Sequence, residues 1–386
     1  MSGPSIIDVP WIGAVDLAGR WQRVSARQIL SDPGAWGALH ENYPMRTVAA
    51  WRLVTALHLA ATSTGTSIGD YADQWYERLA IRDVPRPLGQ HPDLAEVLAY
   101  KREKGEGRMV ELDPLRASGN APLLWDHTTA DQDPPYSEAE AVAAMLLLAT
   151  AGAGGTSSGM LRVHPKTQKL VSEKFRFPEP GPHMANVAVI PYAGTVKTVL
   201  EAITQHFRPD EHDRPAWEWP EDVFEPVRVA TVKTPAGVLE WLTWPTRAVW
   251  IDWDGPTAIG AVSTPGWKTD PQWARAEHDP FALPDTNPKR LGGVVQEFSL
   301  GAAARELRAW HMQTTTSEPT ATTGKKKSPT VRPLPPHFNQ MRHDGLLRLH
   351  LLAQQSSQKT QINGHEFEDL IFTALNEPLV GEEAAT

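Results

Sequence analysis

The amino-acid sequence predicts an α+β fold, on three observations. Residues 5–25 (SIIDVPWIGAVDLAGRWQRVS) alternate apolar and polar side chains about a turn at Asp16 to Gly19, which is the period of a strand hairpin. Residues 45–62 (MRTVAAWRLVTALHLAAT) place Met45, Val48, Trp51, Leu53, Leu57 and Leu59 on a wide apolar helix face. Residues 186–207 read as strand, turn and helix in succession, NVAVIPYAGT and then VKTVLEAITQHF, with Thr195 as N-cap.

The remaining elements follow in order. Ser25 begins a short helix with Gln28 in the capping-box position. His58 falls within the 45–62 helix and reads as a packing histidine. A second helix is expected over about Ser67 to Leu79. Residues 80–117 are polar and rich in Pro, Gly, Lys and Glu, and Lys101-Arg102-Glu103-Lys104 reads as a solvated helix face. Residues 236–251 (AGVLEWLTWPTRAVWI) are expected to form a buried turn and strand pair, because Pro245 prevents one continuous helix. Residues 254–290 read as loop-rich, and GAAARELRAW at 301–310 reads as helical. Thr314 to Pro329 is Thr/Ser/Pro/Lys-rich and is expected to be a disordered loop or linker. QQSSQKT at 354–360, between two apolar stretches, predicts a hairpin with Ser357-Gln358-Lys359 at its tip; taken alone these residues favour an exposed hairpin without function.

The stretch from Ser118 to Gly159 organises the rest. A polar loop, Trp125-Asp126-His127-Thr128-Thr129-Ala130, leads through Pro134 and Pro135 to Ser137. Ser137 with Glu140 is a capping box, which satisfies two orphan amides and starts a helix that runs to about Ala151. That helix is apolar almost all round and should be buried. Gly152, Gly154 and Gly155 end it and leave bare backbone. The turn lacks the lysine and glycine spacing of a Walker loop, and a helix precedes it where nucleotide motifs need a strand. Two readings stay open: a plain helix-ending loop, or a backbone surface that another polymer can approach closely. Directly after it, residues 160–180 carry Arg162, His164, Lys166, Lys169, Lys174 and Arg176, with Phe175 and Phe177 interleaved. They fit a nucleic-acid backbone contact or a solvated strand edge.

Composition narrows the function classes. The 386 residues carry a formal charge of −9, which argues against a free-standing, non-specific nucleic-acid binder while allowing a local basic face. Lys325 to His350 is such a region, with six Lys or Arg against one acid, Asp344. There is no cysteine, which excludes disulfides, thiolate zinc sites and cysteine nucleophiles. No apolar run approaches the ~20 residues of a membrane span, so no membrane partner is expected. The absence of cysteine is compatible with a reducing cytoplasm, and the expected location is cytoplasmic. The pairs His212-Asp213, His278-Asp279 and His343-Asp344 lie in loop-like contexts that suit chance better than a metal hydrolase. No serine sits in a nucleophile elbow near Asp126-His127. The sequence therefore predicts no catalytic residues, no metal and no cofactor.

Taken together these segments resemble the CasA family, the large subunit of the type I-E CRISPR surveillance complex (Cascade). The likeness runs in order through IIDVPWI, SGN…LLWDHT with its capped helix, GAGGTSSG, VIPYAGTVKTVLEAI, RPAWEWP and PAGVLEWLTWPTRAVWI, spanning most of residues 5–310. The resemblance implies a large mixed α+β domain over 1–313, a Lys/Thr/Pro-rich linker over 314–335, and a hairpin-bearing end over 336–386. The family's C-terminal four-helix bundle is then absent or truncated. Two further departures are Arg86-Pro87-Leu88-Gly89 in place of an aromatic Pro-Phe segment, and the 314–335 loop itself.

The same resemblance implies a non-catalytic subunit that recognises the protospacer-adjacent motif on double-stranded DNA, promotes R-loop formation and recruits the Cas nuclease-helicase in antiviral defence. The glycine loop that enters the minor groove falls on Gly152, Ala153, Gly154 and Gly155. The wedge that separates the first base pair falls on Gln358, flanked by Ser357 and Lys359. A motif-contacting lysine falls near Lys268. The loop of Trp125, Asp126, His127 and Thr128 corresponds to a contact with the complex near the guide RNA. Implied partners are the CRISPR RNA and the backbone, guide-end and small subunits of the complex. The rival expectations are a Trp-rich carbohydrate-active or hydrolytic enzyme, and a degraded relative that keeps the fold without DNA recognition.

Overall fold

The computed structural model describes residues 5–80, 93–113, 135–152, 156–163, 165–176, 181–184, 187–192, 194–220, 232–270, 273, 278–282, 346–357 and 361–373. It is a mixture of helices and small, mostly antiparallel sheets. The N-terminal hairpin is β1 (Ile12–Asp16) and β2 (Trp21–Val24), in register from Ile12↔Val24 to Val15↔Trp21. Its turn forms because the Asp16 carboxylate accepts from the Ala18 and Arg20 amides, each at 2.9 Å, while Gly19 takes the left-handed backbone at φ 79°. β3 (Trp36–Leu39) pairs on the other side of β1. Residues 6–8 form a turn instead of extending the hairpin, and Ser5 bridges to Ala80.

The helices carry the core. α1 (Ala26–Ser31) has the predicted box of Ser25 and Gln28. α2 (Pro44–Thr64) buries most of its circumference and stops at Gly65, whose φ of 68° closes the last turn. α3 (Ile68–Gln74) is shorter than expected, because Glu77–Leu79 tightens into a 3-10 turn. α4 (Asp93–Arg102) bears out the reading of a solvated face at Arg102, Glu103 and Lys104, which are exposed, and corrects it at Lys101. Lys101 is buried, and Arg102 reaches across to the Asp252 carboxylate and donates to the Ile259 carbonyl at 3.1 Å.

β4 (Tyr136–Ser137) leads into α5 (Glu138–Ala151), which packs against α2. β5 (Thr156–Val163) and β6 (Leu170–Arg176) form the antiparallel hairpin that follows the glycine turn. β7 (Ala188–Tyr192) and α6 (Val196–His206), capped by Thr195, match the predicted strand, turn and helix.

The 232–270 region departs most from expectation. β8 (Val232–Lys233) precedes α7 (Val238–Leu242), a short helix where a strand was expected, and then comes β9 (Arg247–Asp254). β10 (Thr257–Pro265) is a full strand in what read as loop, and it pairs with β9 and β4. Its Thr, Gly and Pro content hid it: the register shifts between Ala258 and Gly260, and the strand survives because β9 supplies its ladder. β11 (Lys268–Thr269) runs parallel to β8. Finally β12 (Leu346–Ser357) and β13 (Gln361–Thr373) form the predicted C-terminal hairpin, and the sheet order is β13-β12-β7. The expected helix at 301–310 and the expected linker lie outside the described residues.

Two apolar clusters result. The larger gathers α2, α5, α6, β7 and the base of β12. The smaller is built on tryptophan: Trp219, Trp241, Trp244, Trp267 and Trp273 pack with Leu94, Val97 and Leu98 of α4. All five of these indoles are buried, so they fill core as expected and present no open stacking platform. Among the described residues no helix is long and apolar enough to cross a membrane.

Candidate nucleic-acid interface

The C-terminus of α5 is the best-defined feature around which a site can be built. At its start the Ser137 amide donates to Glu140 Oε2 at 2.9 Å, and the Glu140 amide donates back to Ser137 Oγ at 3.3 Å. At its end a helix leaves four carbonyls without intrahelical partners, and here distant segments supply donors. Locally, Gly152 donates to the Leu148 carbonyl at 2.9 Å, and the other donors are distant. Thr246 Oγ1 donates to the Ala149 carbonyl at 3.1 Å. The His183 amide donates to the Thr150 carbonyl at 2.8 Å, and the Gly181 amide to the Gly152 carbonyl at 2.9 Å. The helix exit is thus gripped on one side by the turn after α7 and on the other by residues 181–183. That second approach needs glycine: a Cβ on Gly181 would lie 2.5 Å from the Thr150 carbonyl.

Lys268 belongs to the same neighbourhood by a chain of bonds. Gly266 donates to the Thr246 carbonyl and Trp267 to the Pro245 carbonyl, each at 2.9 Å, so the turn carrying Lys268 lies on the turn that holds Ala149. A Cβ on Gly266 would overlap the Pro245 carbonyl oxygen and come within 2.8 Å of the Arg247 amide, so this crossing also requires glycine. Lys268 is half-buried. Across the β8–β11 pair it faces Val232, and the next residue of β8, Lys233, places Nζ 3.4 Å from the centroid of Trp267. Burial depresses the Lys233 pKa, against the pull of the nearby Glu240 carboxylate.

Residues 181–183 are fixed in turn by a buried charge knot. The side chains of Arg52, His183 and Asp279 have exposures of 3%, 1% and 2%. Asp279 Oδ2 accepts from Arg52 Nη1 at 3.0 Å and from Trp241 Nε1 at 2.7 Å, and it lies 3.0 Å from His183 Nε2. Asp279 Oδ1 accepts from the Phe281 amide at 2.9 Å, and Arg52 Nη2 donates to the Trp241 carbonyl. His183 Nε2 also lies 3.2 Å from Arg52 Nη1; with the ring hydrogen assigned to Nε2, His183 donates to the Asp279 carboxylate. Burial pushes the Asp279 pKa upward, but His183, Arg52 and the Phe281 amide outweigh it and hold the carboxyl below the usual range.

The hairpin of β12 and β13 is the second candidate element. β7 pairs with β12 only from Arg348 to Leu352, while the β12–β13 ladder continues to Ser357↔Gln361. Among the described residues the hairpin beyond Leu352 is therefore an arm of two strands. Ala353 is still buried in the main core, so the four residues 354–357, at about 3.4 Å each, extend the ladder by about 14 Å. A register shift between Gln355 and Ser356 adds local twist to that arm.

The predicted site residues divide accordingly. Gly152 stands at the gripped helix exit, Lys268 on the turn bound to that grip, and the Ser357 backbone at the last pair of the arm. Ala153, Gly154, Gly155, Gln358 and Lys359 lie outside the described residues, as do Trp125, Asp126, His127 and Thr128. The two described His-Asp pairs are not brought together as a metal site. Asp213 caps α7 by accepting from the Leu239 and Glu240 amides at 3.0 and 2.9 Å, His212 is exposed, and Asp279 is in the knot. Among the described residues no group of three or more His, Cys, Asp or Glu could hold a metal ion. His183, Thr246, Gly181 and Gly266 were missed, because their roles depend on contacts between distant segments.

Comparison with known proteins points one way. A family model described as CRISPR-associated protein Cse1 matches residues 6–367. A CRISPR-associated protein CasA/Cse1 from Thermus thermophilus is 26% identical over 258 residues, covering 64% of this chain and 48% of that protein. The match therefore spans about half the length of that relative. Among solved structures, Thermobifida fusca Cse1 superposes with a TM-score of 0.69 at 14% identity, over 96% of this chain and 73% of its own. A chain of a CRISPR RNA-guided surveillance complex superposes with a TM-score of 0.65 at 18% identity, over 97% of this chain and 77% of its own. At these identities the structural matches speak for the fold.

Proposed function

The chain belongs to the family of the CRISPR-associated protein Cse1, and from that premise we propose that it is the non-catalytic large subunit of an RNA-guided surveillance complex of the type I-E kind. In this reading it recognises the protospacer-adjacent motif on double-stranded DNA, promotes R-loop formation and recruits the Cas nuclease-helicase. The observation that carries the proposal is the exit of α5, where the Ala149, Thr150 and Gly152 carbonyls are held by Thr246, His183 and Gly181.

A glycine-rich turn entered from such an exit starts from a fixed point, and it has few side chains to keep its backbone from the floor of a narrow groove. The minor groove is narrow and its code is degenerate, so reading it by shape and acceptors suits bare backbone. Lys268, on the turn bonded to Thr246, supplies a nearby cation for phosphate or base. The two-stranded arm of β12 and β13 suits a wedge: residues 358–360 connect its last pair, and Gln358 is the residue proposed to enter the stack. Unstacking a step costs a few kcal/mol, offset by guide pairing and backbone contacts. The segment of Trp125 to Thr128 is proposed to face the rest of the complex near the guide RNA. Neighbouring subunits that carry positive charge reconcile DNA binding with the −9 charge of this chain.

The test is substitution in the assembled complex. Gly154→Asp and Gly155→Asp should abolish motif-dependent binding of duplex DNA while the complex, with its guide RNA, still assembles. Wild-type binding by both variants overturns the assignment of the loop.

A further inference from the structure

We propose that the buried knot of Arg52, Asp279 and His183 is a positioning device for the helix exit that presents the glycine turn, with His183 as its linking residue. The inference rests on the DNA-reading role proposed for that turn.

His183 is bound at both ends of its structure. Its amide holds the Thr150 carbonyl at 2.8 Å, and two residues earlier Gly181 holds the Gly152 carbonyl at 2.9 Å. Its ring lies 3.0 Å from Asp279 and 3.2 Å from Arg52, which is in the middle of α2. The short path from α2 through the ring and backbone of His183 to Thr150 thus ties the last turn of α5 to the largest helix of the core. A core that needed only packing at this position would be served by an apolar side chain, and buried ion pairs are often no more stabilising than such a replacement. What the charged arrangement adds is direction: Asp279 Oδ2 faces donors on Arg52, Trp241 and His183, which fixes the carboxylate and the Nε2 edge of the ring, while His183 Nδ1 is buried without a partner among the described residues. Two carbonyls at the exit, those of Thr150 and Gly152, are then held by the segment that the knot fixes.

The knot acts through the exit and touches no DNA, so its removal should alter binding of the motif more than assembly. The test uses the full complex with its guide RNA. His183→Ala should leave assembly at wild-type levels, weaken motif-dependent duplex binding by about tenfold, and speed hydrogen exchange at the Gly181 and residue-183 amides. His183→Gln, whose amide N–H falls near Nε2, should restore most of the binding. A folded, assembled His183→Ala complex with wild-type motif binding overturns the proposal. If that variant does not fold, Trp241→Phe is read instead, since it removes a single donor from Asp279: faster exchange at the same amides with weaker motif binding supports the proposal, and wild-type binding overturns it. Gly154→Asp in parallel separates the two ideas. If it abolishes binding while the knot variants do not, only the positioning role fails; if it leaves binding intact, the loop reading fails first.

Discussion

Tyr136 donates its phenolic hydrogen to Asp113 at 3.2 Å, joining described residues on either side of the stretch carrying Trp125 to Thr128. Arg46 adds Nη2 at 3.4 Å from the same carboxylate oxygen and stacks its guanidinium 5.4 Å above the Tyr43 ring. Twenty-three residues of separation are thereby closed at their base, and α2 is the element they close against. Tyr136→Phe removes one neutral-to-charged hydrogen bond and should cost about 1.5–3 kcal/mol. Asp113→Ala leaves the Arg46 guanidinium largely buried and without this partner, and it should cost more, about 3–5 kcal/mol. Denaturant midpoints of the two variants provide the check, and equal losses would count against the charge argument.

The glycine crossings at the helix exit give a second comparison. Gly181→Ala and Gly266→Ala both force a methyl group into backbone, at Thr150 and at Pro245 respectively. Overpacking of this kind costs about 1–3 kcal/mol. Gly34→Ala is the control, because its nearest neighbour to the new carbon would be 3.5 Å away. Thermal unfolding should lower the midpoint for the first two and leave Gly34→Ala near wild type.

Much of the fold was legible wherever its cause is local. The boxes at Ser25/Gln28 and Ser137/Glu140 and the Thr195 cap are set by residues three apart, and each appears where the sequence places it. The C-terminal hairpin was legible because a polar turn separates two apolar stretches. β10 was not, since Gly260 and its flanking Thr and Pro residues are weak strand formers and only the β9 ladder makes them one. The exit was half legible: Gly152 was readable as a helix end, but the donors to Ala149 and Thr150 come from residues 97 and 33 positions away. The knot was not legible at all. His278-Asp279 looked like a chance pair, and Asp279 proves to be paired with Arg52, 227 residues earlier.

Acid should disclose the Asp279 carboxylate. Its pKa is held below the ordinary aspartate value of 3.8, so its stabilising contribution is complete above that value and is lost as pH falls through the lower folded value. Asp279→Asn leaves Arg52 buried without its counter-charge, at a cost of about 3–5 kcal/mol. Between pH 5 and 8 the gap between wild type and variant should be constant on this account, and it should narrow only below about pH 4. A gap that already closes between pH 7 and 5 would contradict the assignment of Asp279 as the ionised centre of the knot.

Glu240 should show the opposite slope. Burial raises its pKa above the ordinary glutamate value of 4.5; its hydrogen bond from the Ala236 amide opposes that, the Asp213 carboxylate adds to it, and Lys233 relieves it in part. A raised carboxyl binds its proton more tightly in the folded chain than in the unfolded one. The stability it contributes is therefore complete below the unfolded value and is lost as pH rises through the folded value. Glu240→Gln keeps an oxygen to accept from Ala236 and removes the charge beside Asp213. The variant should thus gain on wild type as pH rises from about 4.5 toward neutrality. Melting temperatures of both proteins across that range measure the difference. A variant that loses ground with rising pH would mean that Lys233 outweighs burial, and that the Glu240–Lys233 pair is a net stabilising contact above the Trp267 ring.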